Sequence, residues 1–201
     1  MHFNTLTLAV LTIGSVFAAP AIVAPSDPKV LTNAISAVSD SKSVVDTQTV
    51  IIRNLVQTTV NDAAIPAIRA SLRNIATEIS SVTRFVVPLV TGVALPLAQQ
   101  ELDNVPGFVG NAKDIAADVE STANLLLASL SQQALLLVKT EVLLALATIN
   151  PFVQPVAQFA TLAISGTSGP STDTIRTTVA TTQDIAGRIQ GPITEAFTKL
   201  V

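Results

Sequence analysis

Apolar residues recur at helical spacing along nearly the whole chain. Leu31, Val38, Val45 and Ile52 repeat every seven residues, with Ala34, Ser41, Gln48 and Leu55 between them. The stripe is lean and carries polar gaps, and it predicts a helix from about 28 to 58. Ile65, Ile68, Leu72, Ile75, Ile79, Val82 and Val86 then alternate steps of three and four, which puts all seven on one face of a second helix. Asn61-Asp62 and Pro66 mark its start and Pro88 limits its end. Residues 85–106 are apolar but punctuated by Pro88, Gly92, Pro96 and Pro106, so a kinked or broken third helix is expected. A turn at Val105-Pro106-Gly107 should follow.

The next stretch is apolar nearly all round. Ala112, Ile115, Val119, Ala123, Leu126, Leu130, Ala134 and Leu137 trace one face of a fourth helix, while Leu125, Leu127, Leu135, Leu136, Leu143 and Leu144 cover other faces. Such a helix is buried at the centre of a domain or crosses a membrane. Lys139, Glu141, Gln132 and Gln133 largely offset the insertion energy of its leucines and valines. The reading is therefore a leucine-rich central helix and no membrane span, ended at Asn150-Pro151. A short helix from Phe152 to Ile164, a loop beginning at Ser165 and a last helix from about Thr172 to Leu200 complete the chain. Gly187 and Gly191-Pro192 should bend that last helix. No alternating strand pattern occurs. The expected fold is all-α, a single bundle of five or six amphipathic helices over residues 28–201.

The N-terminus reads differently. Leu6–Phe17 is a short apolar core followed by Ala18, Ala19 and Pro20, with Val16 and Ala18 at the −3 and −1 places of a small-residue cleavage site. Residues 1–18 are accordingly expected to be a signal peptide, and 19–27 an extended lead-in to the bundle. A secreted or cell-wall location follows as an expectation.

Composition narrows the chemistry. The chain has no Cys, Trp or Tyr, and its single His and single Met are His2 and Met1, inside the leader. Past residue 18 it therefore lacks the usual proton shuttle near neutral pH, the thiol nucleophile and the commonest metal ligands. No G-x-S-x-G and no glycine-rich phosphate loop is present. Asp114, Asp118 and Glu120 are the densest carboxylates, and Asp114 and Asp118 share a helix face. An acidic first turn with a solvated face accounts for them more simply than a paired-carboxylate or cation site. Lys139 and Glu141 point in different directions and are expected to reach solvent at the rim of a helix layer. Net charge is −3 with both signs scattered, which disfavours nucleic acid. No catalytic residue, metal or cofactor is expected, and the working material is apolar surface. The candidate lipid or hydrophobic-binding residues are Leu126, Leu130 and Leu137 on an inward stripe, with Phe85, Phe152 and Phe159 on flanking segments that could close over it.

The leader ending in FAAP, the cysteine-free chain rich in Ala, Leu, Val, Ser and Thr, and the runs VLTNAISAVSDSKSVVDT and DIAADVESTANLLLASL together resemble the fungal hydrophobic surface-binding protein family, which includes cell-wall mannoproteins. The resemblance implies a secreted or wall-associated helical bundle that adsorbs to hydrophobic surfaces. It also implies a secreted esterase as a recruited partner, or a fatty acid held between helices. A structural cell-wall protein without a small ligand is the alternative.

Overall fold

A computed structural model describes residues 29–58 and 64–200. Among the described residues every regular element is helical: α1 (Lys29–Gln57), α2 (Ala64–Val86), α3 (Leu89–Gly92), α4 (Gln99–Leu102), α5 (Val105–Ser129), α6 (Gln132–Ala163), α7 (Pro170–Arg188), a π-helical turn (Ile189–Ile193) and α8 (Thr194–Thr198). The expected signal peptide 1–18, the lead-in 19–27 and the start signal at Asn61-Asp62 lie outside the described residues. Five long helices form the bundle, as the all-α expectation required. α1 packs against α2 and α5, α6 packs against α2, α5 and α7, and α7 also lies along α5.

The polar gaps in the α1 stripe have partners. Ser41 is 1% exposed and its Oγ donates to Glu78 Oε1 of α2 at 2.5 Å. Buried Thr49 takes the place that the heptad reading gave to Gln48, and Thr122 Oγ1 of α5 donates to its Oγ1 at 3.5 Å. A small polar residue in a helix seam stabilises only when its hydroxyl finds a partner there. The α2 stripe is buried from Ile65 to Val86 as its spacing predicted.

Three expectations are corrected. The Val105-Pro106-Gly107 segment is not a turn but the first turn of α5, with Pro106 at a position where its missing N–H costs nothing. The leucine-rich fourth helix is two helices. Leu130 is extended (φ −90°, ψ 145°), and Ser131 caps α6 by accepting from Ala134 N at 3.3 Å. Asn150-Pro151 does not end α6, which runs through both Pro151 and Pro155 to Ala163. Pro151 is exposed and Pro155 partly so. The carbonyls of Ala147 and Pro151 lose their intrahelical donors on the side that water reaches. On the opposite side Phe152, Val153, Val156 and Phe159 are buried and hold the helix in register.

The broken third helix is present as the short turns α3 and α4 around a cis Leu95-Pro96 bond. The expected bend in the last helix is the π-helical turn, where Pro192 lacks a donor and Thr194 Oγ1 donates to Ile189 O at 2.6 Å. α7 is unusually threonine-rich. Thr174, Thr178, Thr181 and Thr182 each donate their hydroxyl to the carbonyl four residues earlier.

Candidate functional site

The residues proposed from sequence separate into two groups. Leu126, Leu130, Phe152 and Phe159 are in the core, each no more than 7% exposed. Phe159 meets Phe108 edge-on, with ring centroids 5.9 Å apart. Leu137 is 55% exposed and Phe85 48% exposed. The single inward stripe through Leu126, Leu130 and Leu137 is therefore not formed. The break at Leu130-Ser131 resets the helical phase, so residues seven apart across it no longer share a face. Phe85 points away from the core and does not close over the leucines.

The enclosed space between α2, α5 and α6 is correspondingly small. A cavity of about 10 Å³ lies among Leu72, Ile75, Val119, Ala123, Val142 and Leu146. That is room for about one water, whereas ligand pockets measure roughly 300–1,000 Å³.

Apolar surface is instead available outside. α6 is 32 residues long, and its charged residues are Lys139 and Glu141 alone. Glu141 is 3% exposed, and Lys139 Nζ donates to the carbonyls of Thr198 and Leu200 at 3.2 and 2.9 Å. The expectation that both reach solvent at a rim is thus corrected for Glu141, while Lys139 ties the C-terminal segment to α6. The exposed residues along α6 are uncharged: two glutamines at its start, Leu136, Leu137, Thr140, Leu144, Ala147 and Pro151, then two more glutamines, Thr161 and Leu162. Leu137, Leu144 and Leu162 stand roughly two and five turns apart on one line. By length and composition α6 could cross a membrane. Its buried side is committed to the core, where it seals against α2, α5 and α7.

Glu141 faces α2. Its Oε1 accepts from Arg69 Nε at 2.9 Å and from an Arg73 terminal nitrogen at 2.5 Å. Burial pushes its carboxyl up, but the two arginines outweigh that and hold it below the ordinary value. Its Oε2 is buried and has no hydrogen-bond partner among the described residues. Both arginines remain half-exposed.

The acidic cluster lies in the middle of α5, not in a first turn, because that helix begins at Val105. Its members have separate partners. Asp114 pairs with Lys113 at 3.3 Å, and Glu120 Oε1 accepts from Arg188 Nε at 2.6 Å. Asp118 is partly buried and hydrogen-bonded to Asp46 of α1, which in turn accepts from Lys42 Nζ at 2.7 Å. Burial, then the hydrogen bond to Asp46 and its charge, push Asp118 up to about 7. Burial also raises Asp46, but hydrogen bonds from Asp118 and Lys42 outweigh it and hold Asp46 below the ordinary carboxylate range. The two carboxyls share one proton across the α1–α5 seam. The Asp114/Asp118 spacing was visible in the sequence; the true partner, Asp46, is 72 residues away and carries no sequence signal. Among the described residues no group of His, Cys, Asp and Glu is arranged to hold a metal ion.

No protein-family profile, curated protein or solved structure matches this chain. The likeness to the hydrophobic surface-binding family accordingly rests on the quoted residues.

Proposed function

We propose that the protein is a secreted, non-enzymatic helical bundle that binds hydrophobic surfaces through the outer face of α6. The observation that supports this reading most is the scarcity of charge on a 32-residue helix that exposes Leu136, Leu137, Leu144 and Leu162: Glu141 is buried, and the partly buried Lys139 is turned to the carbonyls of Thr198 and Leu200. Charged groups normally patrol such a face, and an uncharged one that exposes several leucines marks an interaction surface. Each of the four leucines is about half exposed, so covering it gains about 1 kcal/mol, and the four together about 4 kcal/mol. That suits reversible adsorption reinforced by many molecules on one surface. Uptake of a fatty-acid chain between the helices would have to part α5 from α6, given the 10 Å³ now enclosed. A recruited esterase is supported by the resemblance alone.

The test is adsorption to alkyl-coated beads. Leu137→Glu with Leu144→Glu should abolish retention and leave the far-ultraviolet circular dichroism unchanged, since both side chains are exposed. Val50→Glu, on the exposed side of α1, should adsorb like the parent. Full retention of the double variant would sink the reading.

A further inference from the structure

The seam between α2 and α6 adds a charge pattern to the apolar face. α2 carries Arg69, Arg73, Glu78 and Arg84. Glu78 is turned to α1, where Ser41 donates to it. The three arginines lie on the α6 side: Arg69 and Arg73 reach Glu141, and Arg84 borders a groove of about 350 Å³ that Leu144 also lines. Ala76, Thr77, Ser80 and Ser81 form the rest of that groove, so small side chains leave it open to solvent. Arg84 has no carboxylate partner among the described residues, and Arg69 and Arg73 share one buried carboxylate between them. The seam is therefore cationic in a chain whose net charge is −3. From Arg69 to Arg84 the row runs about 22 Å along the helix.

An uncharged apolar strip bordered by a row of arginines is the pattern of an interfacial surface, with the apolar part at the acyl boundary and the cations among headgroups. Building on the proposed hydrophobic-surface reading, we infer that the α2–α6 seam docks on an anionic lipid bilayer, with Arg69, Arg73 and Arg84 meeting phosphate headgroups while Leu137 and Leu144 enter the interface.

Vesicle co-sedimentation tests this with the purified chain. The probes are phosphatidylcholine vesicles and vesicles of equal parts phosphatidylcholine and phosphatidylglycerol. Stronger binding to the anionic vesicles is expected, falling as salt rises from about 0.1 M to about 1 M and the screening length shrinks from about 10 Å to about 3 Å. Because Arg69 and Arg73 also neutralise Glu141, the variants leave them alone. Arg84→Gln should weaken anionic binding about fivefold, and Ser80→Glu, which puts a negative charge in the groove, should do the same. Arg53→Gln removes an equal charge from an exposed site on α1 and should change nothing. Equal binding to both vesicle types, or equal losses in Arg84→Gln and Arg53→Gln, would overturn the inference. Retention on alkyl beads in either case would leave the hydrophobic-surface reading standing, whereas loss of both bead and vesicle binding removes the two together. A concentration-dependent dimer that Ser80→Glu dissociates, without vesicle binding, would assign the seam to a second copy of the chain and refute the lipid.

Discussion

The shared proton between Asp46 and Asp118 makes stability depend on pH in a direction most carboxylates do not. Asp118 stands near 7 in the fold, above its ordinary value near 3.9, so the unfolded chain gives up this proton more readily than the folded one. Its contribution is complete below about 4 and is lost as pH rises through about 7. Asp46 is held low, so its contribution is present above the ordinary value and lost as pH falls below it. Together they place the optimum of the α1–α5 seam near pH 4, with stability falling steadily from there to about pH 7. The gap of about three pH units on Asp118 is worth about 4 kcal/mol unscreened, and its partial exposure reduces that to about 1–2 kcal/mol. The chain's only histidine is His2, so no imidazole among the described residues titrates in this window. Asp118→Asn keeps a donor to Asp46 and removes the titration. Urea unfolding at about pH 5 and about pH 9 should show the parent losing about 1 kcal/mol between them and the variant nearly level. At the higher pH the variant should be the more stable protein. A parent equally stable at both values, or a variant weaker than the parent at both, would refute the shared proton.

Two further outcomes follow from burial and from the leader. Leu126→Ala, at a fully buried site, should cost about 2–5 kcal/mol, while Leu137→Ala should stay within about 0.5 kcal/mol despite lying on what the sequence reads as the same stripe; paired thermal melts would show the contrast, and equal losses would contradict the break between α5 and α6. Protein secreted by an expressing host should begin at Ala19; N-terminal sequencing that returned Met1 from the medium would end the secretory reading.

The parts of the fold that were legible in the sequence are those where one physical signal acts alone. The three-and-four spacing from Ile65 to Val86 needs only a helix with one buried side, and it has one. The α5–α6 break was written in Ser131, a good cap, but every position around it is apolar and periodicity passes through without a gap. Pro151 and Pro155 illustrate the opposite error: local propensity ends the helix, and the aromatic and aliphatic packing beneath overrides it. The candidate site divided for the same reason. Leu126, Leu130, Phe152 and Phe159, read from the sequence as binding residues, are packed in the core, and the exposure of Leu137 depends on a phase reset. The burial of Glu141 depends on two arginines 68 and 72 residues earlier in the chain. Contacts that distant leave no mark in spacing.

The threonines of α7 alter what its surface offers to water. A hydropathy scale scores each as a polar residue because its hydroxyl is counted as a donor and acceptor for solvent. With the protons of Thr174, Thr178 and Thr181 spent on carbonyls of their own helix, the donor is already occupied and the methyl group takes a larger share of the contact with water. The helix then wets less readily than its composition states. The exposed Asp173, Arg176, Asp184 and Arg188 keep the helix hydrated as a whole, so only the threonine patches between them give up water at low cost.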